Sequence, residues 1–107
     1  MKAERIPPLS ALAVAFVLAV PTVATAGDVA AGAALARQWC SGCHVVDEAR
    51  RGTDSAPPLT TIAKRHAADE SWLRGWLAQP HPPMPNFNLD RREIDDIIAY
   101  LGSLRAD

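Results

Sequence analysis

Only two cysteines occur in the 107 residues, and both lie in one short motif, Cys40 to Cys43. A framework of several disulfides is thereby excluded. No stretch alternates apolar and polar residues strongly enough to read as a sheet, and there are no internal repeats. The N-terminal apolar run, Leu9 to Val20, is 12 residues long, well short of the roughly 20 that span a bilayer. Excess basic charge is missing too. Eleven Lys and Arg stand against twelve Asp and Glu, a net charge of −1. No stripe of cations is available to neutralise a run of phosphates, and Arg50-Arg51 sits in an ordinary polar loop. Nucleic acid is therefore not an expected partner.

What is present begins with a leader. Lys2 and Arg5 give a positive start despite Glu4, the apolar run follows, and Ala24-Thr25-Ala26 supplies a small-x-small pattern of the kind signal peptidase accepts. Residues 1–26 are thus expected to be a signal peptide cleaved after Ala26. The exported domain, residues 27–107, would have no membrane span and a periplasmic location. It carries nine Lys and Arg and eleven Asp and Glu, about −2. A domain of 81 residues buries a modest share of its surface, so its core is thin and often needs a cross-link, a metal or a cofactor. Six of the nine prolines fall in it, most between Pro57 and Pro85, where long helices cannot run.

The coarse pattern is helical. Asp28 is an N-cap for a helix to about Cys40, rich in Ala and interrupted by Gly32. Val45 to Leu59 reads as loop, with Gly52, Asp54, Ser55 and Pro57-Pro58 as breakers. Short helices are expected at Leu59 to Arg65 and Asp69 to Gln79, the latter with Trp72, Leu73, Trp76 and Leu77 on one apolar face. The prolines around Met84 predict an extended stretch. Asp90 with Glu93 three residues on starts the last helix as a capping box, and Ile94, Ile97, Ile98, Leu101 and Leu104 form its apolar stripe. The expected class is all-α, three to four short helices with long loops.

Cys40-Ser41-Gly42-Cys43-His44 is the attachment pattern of c-type haem. At the end of a helix, residues i, i+3 and i+4 share a side, so both thiols and the imidazole can face one planar ligand. The thiols add across the haem vinyl groups as thioethers, and His44 reaches the iron as proximal ligand. Three other uses share the spacing. A thioredoxin-like dithiol needs a βαβ setting that this chain lacks. A zinc site could nominally draw on Cys40, Cys43, His66 and His81, whose spacings match no common module. A plain disulfide is the third.

An electron carrier usually has a second axial ligand, and the candidates are Met84, His66, His81 and Lys64. Met84 is the one methionine left after the leader, and it sits in Pro82-Pro83-Met84-Pro85. Restricted φ angles hold such a loop with little entropy to lose, which suits a weak thioether ligand. The structural alternative is a methionine filling a gap in the core. His81 is the nearest rival and would give a bis-His centre of lower potential. His66 reads as a polar surface residue.

The chain resembles the class I cytochrome c family over nearly all of the exported segment. The resemblance is carried by Gly32 eight residues before Cys40, the Cys40–His44 motif, Ala56-Pro57-Pro58-Leu59, His81-Pro82-Pro83-Met84-Pro85, and Leu89 to Leu104 with Ala99-Tyr100-Leu101. It implies the cytochrome c-like fold around one covalent haem c, with iron held by His44 and Met84, and a close crossing of first and last helices at Gly32 and Tyr100. It also implies that the Pro57 carbonyl accepts the His44 Nδ1 proton. Trp76 would contact a haem propionate, a role for which Trp72 competes, and both rings could equally be core. The family often has a larger aromatic where this chain has Leu35 or Ala36, and Trp39 is the ring at hand to compensate.

The function expected is that of a periplasmic one-electron carrier, a monomer meeting a redox-protein donor and acceptor through a small interface. Two alternatives stay open. One is a haem subunit permanently docked to a dehydrogenase or oxidase. The other is a haem enzyme or gas sensor with an open sixth position.

Overall fold

The structure is a computed structural model describing residues 2–5, 8, 10, 13–20, 27–47, 52–79 and 81–105. The expected cleavage point after Ala26, the Arg50-Arg51 pair and Pro80 lie outside the described residues. The described residues form four helices: α1 (Val29–Trp39), α2 (Leu59–His66), α3 (Glu70–Ala78) and α4 (Arg91–Arg105). Among the described residues there is no strand beyond an isolated bridge between His81 and Met84. None of the described helices is long and apolar enough to cross a membrane.

Each helix starts where a side chain can satisfy its first amides, or where proline sets the entry. Asp28 accepts from the amide of Ala31, and Asp69 from that of Trp72, both at 3.0 Å. Pro58 precedes α2. Asp90 and Glu93 exchange bonds at the start of α4: the Asp90 amide donates to Glu93 Oε2 at 2.9 Å, and the Glu93 amide to Asp90 Oδ1 at 2.8 Å.

α1 crosses α4 at a point where side chains cannot intervene. A Cβ at Gly32 would run into the backbone carbonyl of Asp96 and stand 2.9 Å from Tyr100 Cβ. Around that crossing, Ala33 and Ala36 of α1 meet Ile94, Ile97, Ile98, Tyr100 and Leu101 of α4, joined by Leu59 and Ala63 of α2 and Leu73 of α3. With Val46 they make eleven buried hydrophobic residues among those described. This core is small, and Leu59, Leu73, Ile97 and Leu101 belong both to it and to the lining of a cavity.

One local expectation is corrected. The segment around Met84 is not extended but closes on itself, with the Met84 amide donating to the His81 carbonyl at 3.1 Å. Pro82 and Pro83 have no amide hydrogen, so Met84 is the first residue after His81 able to complete a turn.

Candidate haem site

Cys40 is the C-cap of α1, and its amide still bonds to the carbonyl of Ala36. The chain then makes one further turn, in which the amides of Cys43 and His44 donate to the Cys40 carbonyl at 3.2 and 2.8 Å. Cys40, Cys43 and His44 therefore come out on the same side, at one wall of a cavity of about 470 Å³.

The following loop is tied beneath this wall. The amide of Thr53 donates to the Cys43 carbonyl at 3.0 Å, and that of Leu59 to the Val45 carbonyl at 2.9 Å. Gly52, at φ 121°, passes so close that a Cβ would stand 2.6 Å from the Val45 nitrogen; only glycine fits there without strain. On the other flank, the Tyr100 hydroxyl donates to the Val46 carbonyl at 3.1 Å, joining α4 to the loop.

His44 Nδ1 lies 2.6 Å from the Pro57 carbonyl oxygen. A carbonyl only accepts, so Nδ1 carries the proton and the neutral ring keeps its lone pair on Nε2. Met84 belongs to the lining of the same cavity, as do Pro57 and Trp76. The structure thus brings all six candidate site residues, Cys40, Cys43, His44, Pro57, Trp76 and Met84, to one place.

Several residues of the wall are not legible as such in the sequence. His66 is not simply a surface group: its ring stacks on Trp72 with centroids 3.9 Å apart and planes at 15°. Trp72 stacks in turn on Trp76 at 5.2 Å, and Trp76 meets the His81 ring at 3.8 Å. Both tryptophans, the two histidines and Arg65 line the cavity. The i, i+4 spacing of the tryptophans is visible in the sequence, but nothing local marks the histidines as extending the stack from either end. Trp39, the ring beside Cys40, packs on Phe87 at 5.7 Å, and both also line the cavity.

The walls fit a flat, mostly apolar ring system. Leu59, Ile62, Leu73, Leu77, Ile97 and Leu101 supply aliphatic surface. Trp72 and Trp76, which line it, remain 39% and 45% exposed, a large apolar area for so small a protein to leave uncovered by its own chain. Two thiols and one fixed imidazole at a single wall are the donors that covalent haem needs.

The competing uses of the cysteines fit less well. A redox dithiol relies on a thiolate favoured by a helix N-terminus or a nearby cation. Cys40 instead caps the C-terminal end of a helix, and burial pushes its thiol up to about 11. Among the described residues no three or more His, Cys, Asp or Glu side chains converge as a metal site, so the four nominal zinc ligands are not assembled.

Comparison with known proteins agrees with this geometry. Residues 29–105 match the family model described as cytochrome c. Over 83 residues the chain is 42% identical to cytochrome c-552 of Bradyrhizobium diazoefficiens, an alignment covering 77% of this chain and 80% of that one. No solved structure gives a significant match. The family match spans all four helices and the Cys40–His44 motif, and the chain belongs to the cytochrome c family, as a class I c-type cytochrome that carries covalently attached haem c and transfers electrons rather than catalysing a reaction.

Proposed function

We propose that this cytochrome is a periplasmic, freely diffusing one-electron carrier whose haem iron is held by His44 and Met84. Cys40 and Cys43 would form the two thioethers. The haem supplies a one-electron couple between Fe(II) and Fe(III). The observation that carries the axial reading is the 2.6 Å bond from His44 Nδ1 to the Pro57 carbonyl. It fixes the ring and leaves Nε2 on the side away from Pro57, and His44 and Met84 line the same cavity.

The chain's own residues then set the character of the site. The aliphatic walls and a thioether donor disfavour the more highly charged ferric iron and so raise the potential. With His44 and Met84 both holding the iron, no position would remain for a substrate. Trp76, with Trp72 stacked beside it, offers an indole N–H for a haem propionate. Residues 13–20 support the export reading, because they form no helix and leave Phe16 and Val17 about as exposed as free chain, at 85% and 84%. An apolar segment outside the packed core is what a removable leader requires. The redox partners are then proteins of the same compartment, met at a small and short-lived interface.

Absorption spectra of the oxidised, haem-loaded protein test the ligand set. A methionine-to-iron charge-transfer band at the red end is expected, to be lost in Met84→Ala and kept in His81→Ala; the reverse pattern overturns the assignment. Intact mass of the exported protein should correspond to Gly27–Asp107 plus one covalent haem, and retention of residues 1–26 would overturn the processing reading.

A further inference from the structure

We propose that His81 is a reserve axial ligand, able to take the sixth iron position when the Met84 sulfur is withdrawn. This rests on the reading of His44 and Met84 as the native axial pair. The turn closed by the Met84 amide on the His81 carbonyl, at 3.1 Å, sends both side chains toward the cavity, and both line it. His81 Nε2 stands 3.0 Å from Met84 Sδ. A ligand position that one of these atoms reaches is therefore within a small side-chain movement of the other.

The state of the His81 ring suits this role. Its Nδ1 is bonded to the Gln79 carbonyl at 2.8 Å, which orients the ring and leaves Nε2 facing the Met84 sulfur. His44 is prepared in the same way by Pro57. The chain thus presents two imidazoles to one cavity, each with Nδ1 bonded to a backbone carbonyl and Nε2 on the side away from it. Contact with the Trp76 ring at 3.8 Å holds the His81 plane in place. His66 is different: its ring lies flat against Trp72, at 3.9 Å and 15°, and among the described residues no backbone carbonyl is bonded to it.

Imidazole nitrogen is a good ligand for iron, and an axial methionine sets a higher potential than a nitrogen donor in its place. Exchange of Met84 for His81 would keep the iron six-coordinate and closed to outside ligands while lowering its potential. The pair would act as a fail-safe against an open haem.

The experiment compares haem-loaded Met84→Ala with Met84→Ala/His81→Ala. The single variant is expected to lose the methionine band yet stay low-spin in the ferric state, with a lowered potential and no CO binding when reduced. The double variant is expected to become high-spin and to bind CO, and added imidazole should return it to low-spin, which shows that its pocket is still formed. A single variant that is already high-spin and CO-binding overturns the reserve role while leaving the native axial pair intact. A double variant that stays low-spin without added imidazole also overturns it, since another group would then be the ligand. Persistence of the methionine band in Met84→Ala would overturn the axial pair itself.

Discussion

Gly32 shows how much one missing side chain decides. The first and last helices meet there at backbone distance, and any Cβ would press on the Asp96 carbonyl and on Tyr100. The facing atoms are backbone and the root of a buried ring, so they cannot move aside as the end of a flexible side chain would. Gly32→Ala is expected to destabilise the protein by about 3 kcal/mol, at the upper end for overpacking, read as a lower urea midpoint with an unchanged slope. A change below about 0.5 kcal/mol would show that the crossing has slack. In the sequence, Gly32 stands out as a break in an Ala-rich helix, and the resemblance assigns it to a crossing; which carbonyl and which ring it meets follows only from the packing of α4.

At the scale of elements, α4 was the most legible and does the most. Its capping residues and apolar stripe are local patterns, and they form the helix seen from Arg91 to Arg105. Its link to the haem motif is not local: the Tyr100 hydroxyl reaches the Val46 carbonyl across 54 positions of sequence. Burial raises the Tyr100 hydroxyl above the usual tyrosine pKa, with Asp47 adding to the rise and Arg37 opposing it.

The sign of the linkage follows. The folded state holds this proton more tightly, so the contribution of Tyr100 is complete below the unfolded value of about 10 and fades as pH rises through the folded one. Tyr100→Phe is expected to cost roughly 1–2 kcal/mol at neutral pH, for a lost hydrogen bond and a carbonyl left without its donor. Thermal midpoints of the two proteins should converge as pH is raised beyond about 10. A gap that stays constant through that range would show that Tyr100 does not carry the effect. The α3 wall is the opposite case to α4. Trp72 and Trp76 show their helical spacing, yet the stack from His66 to His81 joins three separate segments.

For the whole molecule the governing fact is the thin core. Eleven buried hydrophobic residues lie beside a cavity of about 470 Å³, and domains of this size rarely gain more than about 3–5 kcal/mol from a core alone. The haem is therefore expected to stabilise the fold as well as to carry the electron. A Cys40→Ser/Cys43→Ser variant, unable to hold haem covalently, is expected to lose its near-UV circular dichroism and its cooperative thermal transition, while the haem-loaded protein keeps both. A variant without haem that still unfolds cooperatively would show that the helices pack well enough by themselves.

What the sequence alone determined is whatever depends on neighbours along the chain. The helix starts at Asp28, Asp69 and Asp90, the stripe of α4, and the Cys40–His44 spacing that puts two thiols and an imidazole on one side all arise within a turn or two of backbone. The tertiary structure decided what depends on distant segments meeting. It brought the Pro57 carbonyl to the His44 ring, 13 positions away, and joined the rings of His66, Trp72, Trp76 and His81 into one stack. Both contacts are set by how the loops close around the cavity, and the sixth position that began as a choice between Met84 and His81 now has both atoms side by side.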